Sequence, residues 1–213
     1  STDEELNRSK MEILSGLMRL RQICDTPALF MDDYHGESGK LESLLELLEQ
    51  IQTGSHRMLI FSQFRGMLDI IEKELKKMKM ETFKITGSTP AKDRQEMTNS
   101  FNNGEGDAFL ISLKAGGVGL NLTGADTVIL VDLWWNPAVE SQAIGRAHRM
   151  GQERNVEVYR LITRGTIEEK IQELQESKRH LVSTILDGTE PRSSLTVAEI
   201  REILGISTET LEK

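Results

Sequence analysis

From Arg57 to Ile162 the chain alternates short apolar runs with helix-patterned stretches, and this rhythm restricts the fold more than any other feature. The runs are MLIF (58–61), ETFKI (81–85), AFLI (108–111), TVILV (127–131) and VEVYRLI (156–162). Between them lie helical patterns over 66–79, 92–101 and 142–147, and a glycine-rich turn at 114–119. Near-continuous Val, Ile, Leu and Phe runs suit strands buried on both faces. A strand–helix rhythm of this kind predicts an α/β fold, a parallel sheet with helices on both faces.

Helices flank this core. Apolar spacing predicts amphipathic helices over 4–23 and 41–51, separated by a loop containing Gly36, Ser38 and Gly39. After Arg164, Thr166 is suited to cap a helix, with Glu168 and Glu169 in its first turn, and that helix is expected to run to about Leu186. DGTEPRSS (187–194) reads as a linker and LTVAEIREILG (195–205) as a short terminal helix. No repeat or low-complexity tract interrupts the plan.

Composition narrows the chemistry. One cysteine, Cys24, excludes a disulfide framework, and four dispersed histidines do not complete a zinc site with it, so no structural metal is expected. The start of the chain lacks a signal-type apolar stretch, and no apolar run reaches the ~20 residues of a bilayer span, so a soluble, intracellular protein is expected. The net charge of −8 argues against nucleic acid only until its distribution is read. Residues 54–164 hold 15 Lys/Arg against 13 Asp/Glu, while 1–53 hold 5 against 11 and 165–213 hold 6 against 10. The acidity sits in the flanks, and Arg65, Lys84, Lys92, Arg94, Lys114 and Arg154 are candidates for a local basic groove.

Within the core, SQAIGRAHRMGQ (141–152) sets Arg146 and Arg149 three residues apart, neighbours on one face if the segment is helical. A guanidinium can stabilise the charge that spreads over γ-phosphate oxygens during phosphoryl transfer. Paired arginines on a helix also occur as solvated or salt-bridged charges, so the spacing alone leaves both uses open. Three glycines in the turn from Lys114 to Gly119 let backbone approach a ligand closely, or simply make a tight strand-to-helix connection. Trp134 and Trp135 are adjacent, so they cannot both point into the core, and one is free to stack on a base or sugar; Trp135 is the choice.

The run from Leu110 to Glu140, LISLKAGGVGLNLTGADTVILVDLWWNPAVE, joined to GRAHRMGQ, resembles motifs V and VI of superfamily 2 helicases, and its WWNP and RAHRMGQ wording resembles the SNF2 branch. RMLIFSQF (57–64) is similar to motif IV, TGSTPAKDRQEMTNSFN (86–102) to the segment after it, and VYRLITRGTIEEKI (158–171) to the run-out into a brace. LMRLRQICDTPALF (17–30) resembles the lead-in to the second motor lobe, with Asp25 and Thr26 departing from the usual Asn-His. The resemblance spans about residues 11–187 and implies a RecA-like lobe at 39–164, a helical lead-in at 1–38 and a brace-like helix, linker and short helix at 165–213.

By position, the resemblance places Gln142, Arg146 and Arg149 at the transferring phosphate, and Gly117, Gly119 and Asn121 beside the nucleotide. It puts Gln63, Arg65, Gly87, Ser88, Ser112 and Lys114, with Trp135, on the DNA backbone track. Asp132 is expected to orient an arginine, and Gly145 to let its helix pack closely. Neither the P-loop G-x-x-x-x-G-K-[ST] nor an acidic DExx box occurs; the nearest string, GESGKL (36–41), has two residues between its glycines and resembles the SxKL start of a second lobe. The resemblance therefore implies half a motor, expected to be inactive alone. The first lobe of the same polypeptide would bind most of the ATP and Mg2+, and sequence-independent double-stranded DNA would be the partner. A chain that begins with Ser fits a fragment, and its short tail leans toward a bacterial protein, of the cytoplasm or nucleoid. The rival readings are a lobe of a strand-separating helicase and a non-catalytic nucleic-acid-binding module.

Overall fold

The computed structural model describes residues 12–22, 39–112, 120–132, 137–147, 155–163, 166–184 and 199. In chain order these form α1 (12–22), α2 (Gly39–Thr53), β1 (Met58–Ser62), α3 (Arg65–Lys77), β2 (Thr82–Ile85), α4 (Ala91–Asn102), β3 (Ala108–Ser112), β4 (Thr127–Leu130), α5 (Pro137–Ile144), β5 (Glu157–Arg160) and α6 (Ile167–Thr184). The strands make one all-parallel sheet in the order β2-β3-β1-β4-β5. Each strand falls within the apolar run that predicts it or one residue beyond.

The central strands β1, β3 and β4 are buried throughout, as their unbroken apolar runs require. Alternate residues supply opposite faces. Met58, Ile60, Leu110 and Ile129 pack against Leu44 and Leu48 of α2 and Met67, Leu68, Ile71 and Leu75 of α3. Leu59, Phe61, Phe109, Ile111, Val128 and Leu130 face the other way, toward Phe101 of α4 and Ala143 beside the end of α5. On that side Phe101 and Phe109 meet edge-on, ring centroids 5.3 Å apart, and Phe83 of β2 closes the aromatic group.

At the amino ends of the strands Arg57 acts as a clip. Its guanidinium lies 4.0 Å over the Phe101 ring and donates to the carbonyls of Glu105, Gly106 and Gly124, tying the loops before β3 and β4 together. Thr166 caps α6 as expected, its hydroxyl accepting the Glu168 N–H at 3.3 Å. With that end of the sheet closed by Arg57, the opposite, carboxyl edge is where parallel strands present a ligand.

Candidate functional site

One groove of about 510 Å³ opens at the carboxyl ends of β1, β2 and β3. It gathers Gln63, Arg65, Gly87, Ser88 and Ser112, all expected at a phosphate track, and adds Gln22 from the end of α1. Arg65, Gly87 and Ser88 are exposed, whereas Gln63 and Ser112 are buried at the floor. Among the described residues every polar side chain in this lining is an amide, a hydroxyl or a guanidinium, and none is a carboxylate. In a chain with 34 acidic residues, such a donor-rich patch suits an anion and repels nothing anionic.

The floor is built by a buried carboxylate. Asp132, just past β4 and fully buried, accepts the Gln63 backbone N–H at 2.9 Å and the Ser62 hydroxyl. The Ser62 oxygen in turn accepts the Phe64 N–H at 3.1 Å. Asp132 therefore clamps the chain as it leaves β1, and the donors it holds among the described residues belong to that turn. Arg21 of α1 approaches the same turn, donating to Gln63 Oε1 at 2.9 Å.

The turn from Thr86 to Thr89 forms the groove's second wall. Thr89 folds it by donating its N–H to the Thr86 carbonyl and accepting the Thr86 N–H on its hydroxyl. Arg94 sits behind this turn, donating to the carbonyls of Thr86, Gly87 and Thr89 at 2.7–3.3 Å. It buttresses the wall instead of lining a basic groove, because its position one turn into α4 places it beneath those carbonyls. Lys84 is likewise engaged elsewhere, held by Asp69 at 2.7 Å and by Glu72, both on α3. Burial would raise the Glu72 carboxyl, but hydrogen bonds and charge from Lys84 and Lys76 outweigh it and hold the group below its ordinary range. Burial likewise opposes the Lys84 charge, and Asp69 and Glu72 together overcome it and raise the ammonium above its ordinary value. Lys92 pairs loosely with Glu96 along α4.

The arginine segment differs from its predicted helix. α5 ends at Ile144, and Gly145, Arg146 and Ala147 form a tightened turn in which the Arg146 and Ala147 N–H groups reach back three residues. A Cβ at Gly145 would stand 3.3 Å from the Ser141 carbonyl oxygen and 3.5 Å from that of Gln142, a crowding that glycine relieves as the helix closes. Arg146 thus stands beyond the helix, not on its face. Its carbonyl accepts the Leu122 N–H at 2.9 Å, which brings Asn121 and Arg146 to one place. Gln142 and Asn121 are exposed there, while Arg146 is largely buried. Arg149, Lys114, Gly117, Gly119, Trp135 and Arg154 lie outside the described residues.

Two buried anchors escaped sequence reasoning. Glu140 on α5, six residues before Arg146, joins Arg160 of β5 and accepts Gln175 Nε2 of α6 at 2.8 Å. Lys40, the lysine of the P-loop-like string, is buried against Glu168 and donates to the Val131 carbonyl at 2.8 Å. It is a structural ion, 91 residues from that carbonyl in sequence. Only an acidic residue beside the Thr166 cap hinted at its partner, and that signal is shared by most helix starts.

An all-parallel sheet with a donor-lined groove at its carboxyl edge defines a RecA-like lobe. The chain belongs to the helicase conserved C-terminal domain family, whose pattern matches residues 39–151, and its likenesses lie in the SNF2 branch. It is 43% identical over 204 residues to YwqA of Bacillus subtilis, covering 93% of this chain and 22% of YwqA. To the chromatin-remodeling ATPase INO80 of Saccharomyces cerevisiae it is 40% identical over 173 residues, 81% of this chain and 12% of INO80. The SWI2/SNF2 ATPase core of Sulfolobus solfataricus in complex with dsDNA superposes with a TM-score of 0.72 at 35% identity, over 92% of this chain and 42% of that one. The chain therefore spans less than a quarter of the length of these two curated relatives.

Proposed function

We propose that this chain is the second motor lobe of an ATP-driven translocase on double-stranded DNA, working with a first lobe of the same polypeptide. The observation that carries this reading is the groove whose described lining holds donors and no carboxylate, with Gln63, Arg65, Ser88 and Ser112 side by side at the sheet's carboxyl edge. Amide, hydroxyl and guanidinium donors suit backbone phosphates and carry no base readout, so binding would be indifferent to sequence and sensitive to salt. Gly87 adds support: a Cβ there would meet nothing within 4 Å among the described residues, whose packing does not demand the glycine, whereas a phosphate drawn close to backbone would. The dsDNA-bound Sulfolobus core is the solved relative that motivates choosing duplex over single strands.

Arg146, with Arg149 and Gln142, would serve the nucleotide. These groups donate hydrogen bonds and two of them carry positive charge, as transferring phosphoryl oxygens require. Asn121, joined to the Arg146 turn through Leu122, would approach the same ligand, with Gly117 and Gly119 completing the loop. Among the described residues no three His, Cys, Asp or Glu side chains cluster to hold a metal. The donor set here fits ATP phosphates and not magnesium, which is assigned to the first lobe. Closure of the two lobes would bring Arg146 and Arg149 to the γ-phosphate, and reopening would advance the DNA track.

The test is DNA-stimulated ATP hydrolysis by the full-length protein, comparing wild type with Arg146→Ala and Arg149→Ala at matched folding stability. Turnover is expected to fall roughly 10³-fold or more while DNA and ATP still bind. Unchanged turnover would make the arginines structural and end this assignment.

A further inference from the structure

We propose that Asn102, the last residue of α4, is a positioning residue for the nucleotide: its side-chain amide holds the turn 121–124 so that the Asn121 side chain is presented to ATP. The inference rests on the reading of Asn121 as a nucleotide contact.

The closing backbone bonds of α4 belong to its neighbours, Asn103 donating to the Asn99 carbonyl and Gly104 to that of Phe101. The Asn102 side chain reaches away from the helix. Its Nδ2 donates to the Asn121 carbonyl at 2.7 Å, and its Oδ1 accepts the Gly124 N–H at 3.0 Å. A carbonyl and an N–H three residues apart are the two groups that a closed β-turn pairs with each other, and here a planar amide bridges them. An amide carries the required donor and acceptor together on one side chain. Flipping it would set oxygen against oxygen and N–H against N–H, so the bridge admits one orientation.

This clamp stands on a fixed base. Phe101, the preceding residue, is fully buried beneath the Arg57 guanidinium. Gly124 lies so close that a Cβ on it would stand 3.0 Å from the Asn102 Cα. Within the turn, Leu122 is buried and donates its N–H to the Arg146 carbonyl at 2.9 Å. Leu122 is thus anchored by the core, whereas Asn121 is exposed and its main chain is tied back by Asn102, 19 residues earlier in sequence. The end of α4 therefore sets where the Asn121 amide stands beside the Arg146 turn.

The test uses the full-length protein, read by the KM for ATP in DNA-stimulated hydrolysis, by titration with a fluorescent ATP analogue and by the duplex concentration giving half-maximal ATPase. Asn102→Asp keeps the acceptor for Gly124 and turns lone pairs toward the Asn121 carbonyl, so it breaks the arm that holds Asn121. It is expected to raise the KM for ATP and the Kd of the analogue about fivefold, with maximal turnover and the half-maximal duplex concentration changed less than about twofold. Asn102→Ala, which removes both arms and adds no charge, should raise the two ATP values at least as much, and it carries the test alone if the aspartate variant does not fold. A merely structural amide would lower the melting temperature and leave both ATP values within about twofold of wild type, which overturns the proposal. The decisive variant is Asn102→Asp combined with Asn121→Ala, which keeps the carbonyl that Asn102 grips and removes the amide it presents. If Asn102 acts through that amide, the double variant binds ATP no more weakly than Asn121→Ala alone within about twofold. A bare charge effect of the new carboxylate would instead add in full, and that result also overturns the proposal. If Asn121→Ala itself leaves ATP binding unchanged, the nucleotide reading of Asn121 falls and the proposal with it; if Asn121→Ala weakens ATP binding and Asn102→Asp does not, only the proposal falls.

Discussion

Lys40 and Glu168 form a buried ion pair across 128 residues of sequence, their side chains 2% and 1% exposed. Each charge has further satisfaction: Lys40 donates to the Val131 carbonyl at 2.8 Å, and Glu168 accepts the Thr163 N–H at 2.7 Å. The pair pins the start of α6 to the start of α2 and to the end of β4. Removing one partner strands the other charge in the interior. Lys40→Met or Glu168→Gln alone is expected to cost about 3–5 kcal/mol, whereas Lys40→Met with Glu168→Leu should recover a large part of that loss, because an apolar pair carries no desolvation penalty. Urea unfolding of the three variants measures it, and full additivity of the two single losses would show that the pair is not the unit.

Gly124 predicts a different kind of sensitivity. A Cβ there would stand 2.8 Å from the Phe101 carbonyl oxygen and 2.9 Å from Arg57 Nη1. Arg57 has no room to yield, since Gly106, Glu105 and the Phe101 ring already hold it. Gly124→Ala should therefore destabilise by about 1–3 kcal/mol through overpacking, despite the usual gain from replacing glycine. A melting temperature equal to or above wild type would refute this.

How far the sequence reveals this lobe depends on the range of each signal. Strands were legible because β1, β3 and β4 need unbroken apolar runs. That Gln63, Gly87, Ser88 and Ser112 share a groove was legible because they lie at or just past the ends of β1, β2 and β3. Charged residues were not. Lys84 and Arg94 look like available cations, but their partners come from α3 and from the carbonyls of a folded turn. The arginine segment reads as helix through Ala147 because Gly145 weakens a helix without forbidding one, and the three-residue reach of the Arg146 and Ala147 N–H groups shows the turn that ends it. Nothing local couples Lys40 to Glu168 or Glu140 to Gln175, as those pairings exist only once the sheet has brought the flanking helices together.

The Lys84–Glu72 pair gives a pH dependence. The Glu72 carboxyl titrates below its ordinary 4.5, so its contribution is complete above that value and is lost as pH falls through the folded-state value. The Lys84 ammonium titrates above 10.5, so its contribution is complete below that value and disappears as pH rises through the folded-state value. Between the two the pair is intact, and partial solvent screening limits it to about 1 kcal/mol. Lys84→Met should lower the melting temperature by about 2–4 °C near neutral pH. The gap should close as pH falls well below 4.5. A gap that persisted in acid would assign the effect to lost packing of the lysine stem.

Arg65 and Lys84 separate the groove from the rest of the lobe's positive charge. Arg65 is exposed in the groove lining, whereas Lys84 is committed to Asp69 and Glu72. Each neutralised phosphate releases counterions and contributes about −0.9 to the slope of log K against log salt concentration. In the full-length protein, Arg65→Ala is therefore expected to weaken duplex binding equally for unrelated sequences and to make the slope shallower by about 1. Lys84→Met should leave the slope unchanged, since the net charge of the locked cluster lies away from the ligand. Equal slope changes for the two variants would mean that the lobe attracts DNA through its overall field, with no track at the sheet's carboxyl edge.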